Sequence, residues 1–191
     1  MSETERHYHH LGRTPAGMLD PQMLLPAIGL QPGETLLDAG AGEGNQALPA
    51  ARIAGRVYAV DVQPERVATL EARAQEQGLT NVQAIAADLA GPIPLPAASI
   101  DRGLMTNVLH ELTENGVAEG ALREMARLLR PGGVLAIVDF RPELDSRPGP
   151  PQAVRVAPGR AAELARPYGF REESRKELGS YHYVLLLRKE G

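Results

Sequence analysis

Three apolar runs in this chain each end on an aspartate: LLD at 36–38, VYAVD at 57–61 and AIAAD at 84–88. Runs this short and this apolar are strands buried on both faces. The segment between the second and third, PERVATLEARAQEQG, starts with Pro64 at a first helical position and stops at Gly78, with Val67, Leu70 and Ala74 on one face. Strand, helix, strand at this spacing permits a parallel pairing with a crossover, and excludes a tight hairpin. The pattern continues with a fourth strand in SIDRGLMTNVLHEL, a helix over 117–129, a turn at RPGG (130–133) and the apolar strand Val134 to Val138. The result is an α/β chain with a doubly wound, Rossmann-like, mostly parallel sheet.

The flanks are less regular. Pro21 to Leu30 reads as a short apolar helix bent by Pro26 and packed at the sheet edge, within an N-terminal extension over 1–30; residues 31–191 form the domain. The stretch 141–158 holds five prolines and reads as a long, semi-rigid connection. A helix over Gly159 to Tyr168 then leads to a closing hairpin that turns at Gly179-Ser180. In that hairpin, alternation is expected to bury Tyr181 and Tyr183 together and turn His182 away.

Composition removes several functions. The 191 residues include no cysteine, which excludes disulfides, thiolate metal sites and cysteine nucleophiles, and no histidine spacing supports a metal site. No window reaches the ~18 consecutive apolar residues of a membrane span, and the N-terminus lacks a secretory layout, so the cytoplasm is the expected compartment. A net charge of −4 makes nucleic acid an unexpected partner. A small-molecule partner fits better, and a homodimer is compatible with the composition.

The loop after the first strand, LLDAGAGEGN, carries Gly40, Gly42 and Gly44. Glycines between a strand and a helix let backbone approach a ligand closely. A dinucleotide fingerprint would place its third glycine at position 45, where this chain has Asn45. Asp38 and Glu43 would also face a pyrophosphate, a repulsion on the order of 1 kcal/mol at contact in water and more when shielded. A cationic ligand is preferred over an anionic one, which disfavours the alternative of a nicotinamide-dependent oxidoreductase. Asp61 stands where a carboxylate can accept both hydroxyls of a ribose, and Asp88 ends the third strand at the same sheet edge.

Together these residues resemble the class I S-adenosylmethionine-dependent methyltransferases. LLDAGAGEGN is similar to their first motif, VYAVDVQPERV to the second, AIAADLAGPIPLPAASID to the adenine-side segment, and LLRPGGVLAIVDF to the late strand with its preceding turn. The resemblance implies a seven-stranded sheet of order 3-2-1-4-5-7-6 with strand 7 antiparallel, and S-adenosylmethionine as cofactor. It also implies that Gly40, Gly42 and Gly44 lie against the methionine part, Asp38 helps hold the ammonium group and Asp61 binds the ribose. Val62 would then contact the adenine, Asp88 accept its amino group, Leu89 offer a backbone N–H, and Asn107 flank the methyl-transfer centre.

The acceptor is a separate question. TNVLHEL at the fourth-strand end lacks the Asn/Asp-Pro-Pro-aromatic tetrapeptide typical of enzymes that methylate exocyclic amines, and resembles the subset containing quinone-precursor and other small-molecule methyltransferases. Arsenite methylation is excluded by the missing cysteines. His110 is the candidate base or acceptor-orienting group, with a helix-entry histidine bonded to local backbone as its structural alternative. His9 and His10, beside His7 and Tyr8, could fold over the pocket as a lid, or belong to a frayed terminus. Asp139 and Arg141 are candidate acceptor contacts or partners in a loop salt bridge. A non-catalytic S-adenosylmethionine-binding module is the remaining alternative.

Overall fold

The structure is a computed structural model that describes residues 19–144 and 149–191. His9 and His10 lie outside the described residues. Helix α1 (Pro21–Ala27) is capped by the Asp20 carboxylate, which accepts from the Gln22 backbone N–H at 2.8 Å. Then follow β1 (Thr35–Ala39), α2 (Ala47–Ala50), β2 (Arg56–Asp61), α3 (Pro64–Glu76), β3 (Val82–Ala86), β4 (Ile100–Thr106), α4 (Leu109–Glu114) and α5 (Ala118–Leu128). The chain closes with β5 (Leu129–Phe140), α6 (Pro158–Ala165), β6 (Phe170–Leu178) and β7 (His182–Lys189).

The strands form one seven-stranded sheet of order β3-β2-β1-β4-β5-β7-β6. All pairs from β3 to β5 are parallel, and β7 runs antiparallel to both β5 and β6. The topology is therefore that of class I methyltransferases. Because β7 is reversed, its first residue, His182, stands opposite Phe140 at the same sheet edge where β1, β2 and β4 end.

Successive residues divide cleanly between two faces. Leu37, Ala39, Met105 and Ile137 pack with Leu109, Leu122 and Met125 of α4 and α5. Leu36, Leu104, Val138 and Val184 pack on the other face with Leu24, Ile28, Leu48 and Leu70 of the α1, α2 and α3 region. The period of two along each strand, with helices over both faces, explains why the central runs are apolar at every position.

The Pro21 helix contacts the edge strand β6 and also lies over a sheet face: Leu24 and Ile28 are fully buried in the second cluster, and the Ile28 carbonyl accepts from Arg102 Nη1 at 2.7 Å. Two expectations change. RPGG is an irregularity inside the β5 ladder, which begins at Leu129 opposite Ile100 and resumes at Val134 opposite Arg102; Gly132 takes the turn with φ +75°. In the hairpin Tyr183 is buried but Tyr181 sits exposed in the turn, and His182 is buried rather than turned away. Its ring packs against Phe140 at a centroid distance of 4.5 Å, because the first position of β7 is roofed on the face that alternation assigned to solvent.

Candidate active site

The glycine loop is built from backbone constraints before any ligand is considered. Gly40 and Ala41 both donate to the Val60 carbonyl, at 2.8 and 2.9 Å. Gly42 N donates to Asp61 Oδ2 at 2.8 Å and Gln63 N to Asp61 Oδ1 at 2.9 Å, so this carboxylate ties the loop to the end of β2. All three glycines have φ between +55° and +85°, but their surroundings differ. A Cβ on Gly40 would stand 2.4 Å from Val108 Cγ2, and one on Gly44 would meet Leu70 Cγ at 2.8 Å; a Cβ on Gly42 would meet nothing within 4 Å. Two of the glycines are required by packing, and Gly42 faces free space. Arg73 of α3 holds the loop from outside, donating to the Glu43 carbonyl and to Asn45 Oδ1.

Beside the loop, buried oxygens lack partners. Asp38 Oδ2, Gln46 Oε1, Thr106 Oγ1 and Asn107 Oδ1 are all sealed from solvent without a hydrogen bond among the described residues. Folded proteins contain few such atoms, and each costs about 1–3 kcal/mol. Asp38 and Thr106 lie on one face of the sheet, the face of Leu36 and Leu104, at the ends of the paired strands β1 and β4. Burial, reinforced by the neighbouring charge of Asp61, pushes the Asp38 carboxyl up to about 7, and the Ala47 backbone N–H counters this only in part. Asn107 adopts φ +56°, a left-handed turn that swings the chain out of β4 while its N–H donates to the Val138 carbonyl at 2.8 Å.

Farther along the edge is a second group. His110 Nδ1 lies 2.7 Å from Asp139 Oδ1, and the His110 backbone N–H donates to Asp139 Oδ2 at 3.1 Å. Asp139 is fully buried and also accepts from the Phe140 N–H at 2.8 Å. Its carboxylate therefore holds the His110 ring, leaving Nε2 as the nitrogen available for chemistry. Burial by itself depresses the imidazole, but the hydrogen bond and charge of Asp139, with Glu111 and Glu114 nearby, more than offset it, so the His110 pKa is raised. His182, whose ring also neighbours Phe140, is held down to about 4 by burial, aided by Arg155 and His110 and opposed by Asp139.

The other expected positions are distributed as follows. Val62 is half-buried just beyond Asp61, and Leu89 is a core residue. Asp88 Oδ1 accepts from the Ala90 N–H at 2.9 Å in the turn after β3. Arg141 pairs with Glu143 and Glu177, bridging the proline-rich connection to β6. Among the described residues no group of three histidine or acidic side chains is arranged to hold a metal, and no helix is long and apolar enough to cross a membrane. Sequence reasoning did not select Thr106, Gln46 or His182. The only local signal was position: Thr106 and His182 each stand at the end of a strand that borders the site.

Residues 37–137 match the methyltransferase-domain family, and the chain belongs to it. A SAM-dependent methyltransferase from Aquifex aeolicus, known from its crystal structure, superposes with a TM-score of 0.81 at 26% identity, over 98% of this chain and 99% of that one. Erythromycin 3''-O-methyltransferase of Saccharopolyspora erythraea is 32% identical over 146 residues, 74% of this chain and 46% of its own length. Demethylmenaquinone methyltransferase of Tropheryma whipplei is 32% identical over 118 residues, 59% of this chain and 44% of its own. The chain thus spans less than half the length of these curated relatives. Fold and family together place it among the S-adenosylmethionine-dependent methyltransferases.

Proposed function

We propose that the chain transfers a methyl group from S-adenosylmethionine to a small-molecule acceptor bound at the end of the sheet. The observation that carries this reading is the set of buried, unpartnered oxygens on Asp38, Thr106 and Asn107 beside the free space at Gly42. Oxygens without donors, one of them an acid that burial keeps from ionising freely, suit a ligand that brings positive charge and N–H groups. A pyrophosphate would meet these oxygens without a donor to receive it, which disfavours a nicotinamide dinucleotide. The Aquifex aeolicus enzyme supports the cofactor, and the erythromycin and demethylmenaquinone enzymes support an acceptor that is a small molecule.

When bound, S-adenosylmethionine supplies a methyl group on a positively charged sulfur that leaves as a neutral thioether. The residues then have defined tasks. Asp38 and Asn107 receive the ammonium end and flank the methyl centre. Gly40, Gly42 and Gly44 shape the backbone under the methionine part. Asp61 keeps lone pairs for the ribose while its present bonds hold the loop. Val62, Asp88 and the Leu89 N–H line the adenine side.

His110, fixed through Nδ1 by Asp139, takes a proton at Nε2 when the acceptor atom carries one. The attacking lone pair forms the bond to carbon as the carbon–sulfur bond breaks, so alignment supplies much of the rate. Asp139 acts through His110, and Arg141 ties the start of the proline-rich connection to β6 through Glu177.

The test uses thermal unfolding with S-adenosylmethionine, S-adenosylhomocysteine, NAD or NADP. Stabilisation by either S-adenosyl compound and not by the dinucleotides is expected; the reverse pattern would sink the reading. Incubation with methyl-labelled S-adenosylmethionine and a broad acceptor panel separates an enzyme from a non-catalytic cofactor-binding module, which would bind without ever transferring label.

A further inference from the structure

We propose that His182 recognises the methyl acceptor, its Nε2 exchanging a hydrogen bond with a hydroxyl or amino group on the end of the acceptor remote from the methyl centre. This inference rests on the methyl-transfer reading above. His182 is almost completely buried, yet Nε2 has no partner among the described residues. Among those residues the other unpartnered buried atoms belong to Asp38, Gln46, Thr106 and Asn107, around the glycine loop and the ends of β1 and β4. His182 is displaced from them in a definite direction. It opens β7, which is two strands beyond β4 in the sheet, on the same face as Thr106 by the alternation that places Leu104 and Val184 in one cluster.

Two strand spacings sideways and two residues along the strand, from the Thr106–Val138–Val184 row to His182, together make about 12 Å, the length of a molecule of two or three fused rings. Between the two positions stands the edge residue Phe140, whose ring packs against His182 at 4.5 Å and carries the Arg155 guanidinium 5.6 Å from its centroid. An occupant reaching from the methyl centre to His182 is therefore a flat, largely apolar molecule with one polar group at its far end. Burial keeps the His182 ring neutral at physiological pH, so it suits an uncharged hydroxyl or amine better than a carboxylate. His110, edge-on to Phe140 at 6.1 Å, is held by Asp139 and remains the group for proton transfer. The two histidines thus divide the work: one orients the acceptor and the other handles its proton.

The experiment uses the full chain labelled with 15N-histidine and 2-naphthol as a binding probe, with naphthalene as its hydroxyl-free match, each with and without S-adenosylhomocysteine. Naphthol is expected to move the His182 Nε2 resonance and to bind about 10-fold more tightly than naphthalene, the size expected for one neutral hydrogen bond in a dry site. His182→Phe, which keeps an aromatic ring against Phe140, should erase that preference, and His182→Gln should restore part of it. Equal binding of the two probes, an unmoved Nε2 resonance, no naphthol binding, or a preference that survives in His182→Phe would each overturn the assignment. Should His182→Phe fail to fold, the resonance and the probe ratio in the unmodified chain decide. A chain that discriminates naphthol but ignores S-adenosylhomocysteine overturns the methyl-transfer reading and with it the assignment of His182 to a methyl acceptor, whereas a chain that binds S-adenosylhomocysteine without discriminating naphthol rejects His182 alone.

Discussion

At the scale of single residues, the three glycines of one loop have different reasons to be glycine. Gly40→Ala would force a Cβ to 2.4 Å from Val108 at φ +82°, and is expected to destabilise the fold by roughly 2–4 kcal/mol. Gly42→Ala meets free space and bears only the left-handed strain, about 1 kcal/mol. Urea unfolding beside S-adenosylhomocysteine titration checks the pair: Gly42→Ala should lose more cofactor affinity than stability, and Gly40→Ala the reverse.

Asp38 makes a pH prediction. Its folded-state pKa of about 7 lies above the ordinary value of 3.8, so the folded state binds the extra proton and stability falls as pH rises from about 4 to 7. Asp38→Asn should flatten that part of the stability–pH curve, by an amount on the order of a few kcal/mol. His110 titrates with the opposite linkage. Its raised pKa gives stability that is present below about 6.5 and lost as pH climbs through the folded value. In Asp139→Asn burial is opposed only by the charges of Glu111 and Glu114, so the rising limb of the pH–rate profile should move to lower pH while the methyl-transfer rate falls about 10²-fold or more. A profile unchanged in position would remove His110 from proton transfer.

At the scale of elements, two partly buried ion pairs attach segments whose own propensities are weak. The seven-residue α1 carries a proline inside it and would not persist alone in water. Arg102 of β4 fastens it: Nη1 donates to the Ile28 carbonyl while Nε and Nη2 grip both oxygens of Glu34. Glu124 and Arg127 of α5 do the same for the segment before β4, meeting the Ile93 N–H and the carbonyls of Ile93 and Leu95. Arg102→Met would strand a half-buried carboxylate and a buried carbonyl, and should cost roughly 2–4 kcal/mol in urea unfolding. Released α1 should also be cut first in limited proteolysis; unchanged cleavage would show that Leu24 and Ile28 alone retain it. Such contacts were not legible in the sequence, because Arg102 and Ile28 are 74 residues apart and nothing local marks an arginine that points inward.

At the scale of the whole molecule, the chain brings the ends of β1, β2, β4 and β5 and the start of β7 to one edge. Ligand binding there should stabilise the whole sheet: S-adenosylhomocysteine at a hundredfold excess over its Kd is expected to add about 2.7 kcal/mol to unfolding. Hydrogen exchange should slow together at 40–44 and 106–110, since Gly40 packs on Val108; protection of one segment without the other would separate them.

What the sequence determined was everything whose cause is local. Strand periodicity, the helix between the second and third strands, the acids at the strand ends and the glycine loop are set within a few residues, and the fold class and the family follow from them. The tertiary structure alone decided which of those groups meet. Apolar alternation could not foretell that His182 would be roofed over, nor that Asp139 would hold the ring of His110, 29 residues before it. Burial and pairing depend on which elements the closed sheet brings side by side, and a polar side chain's charge and partners are fixed only when that closure takes its water away.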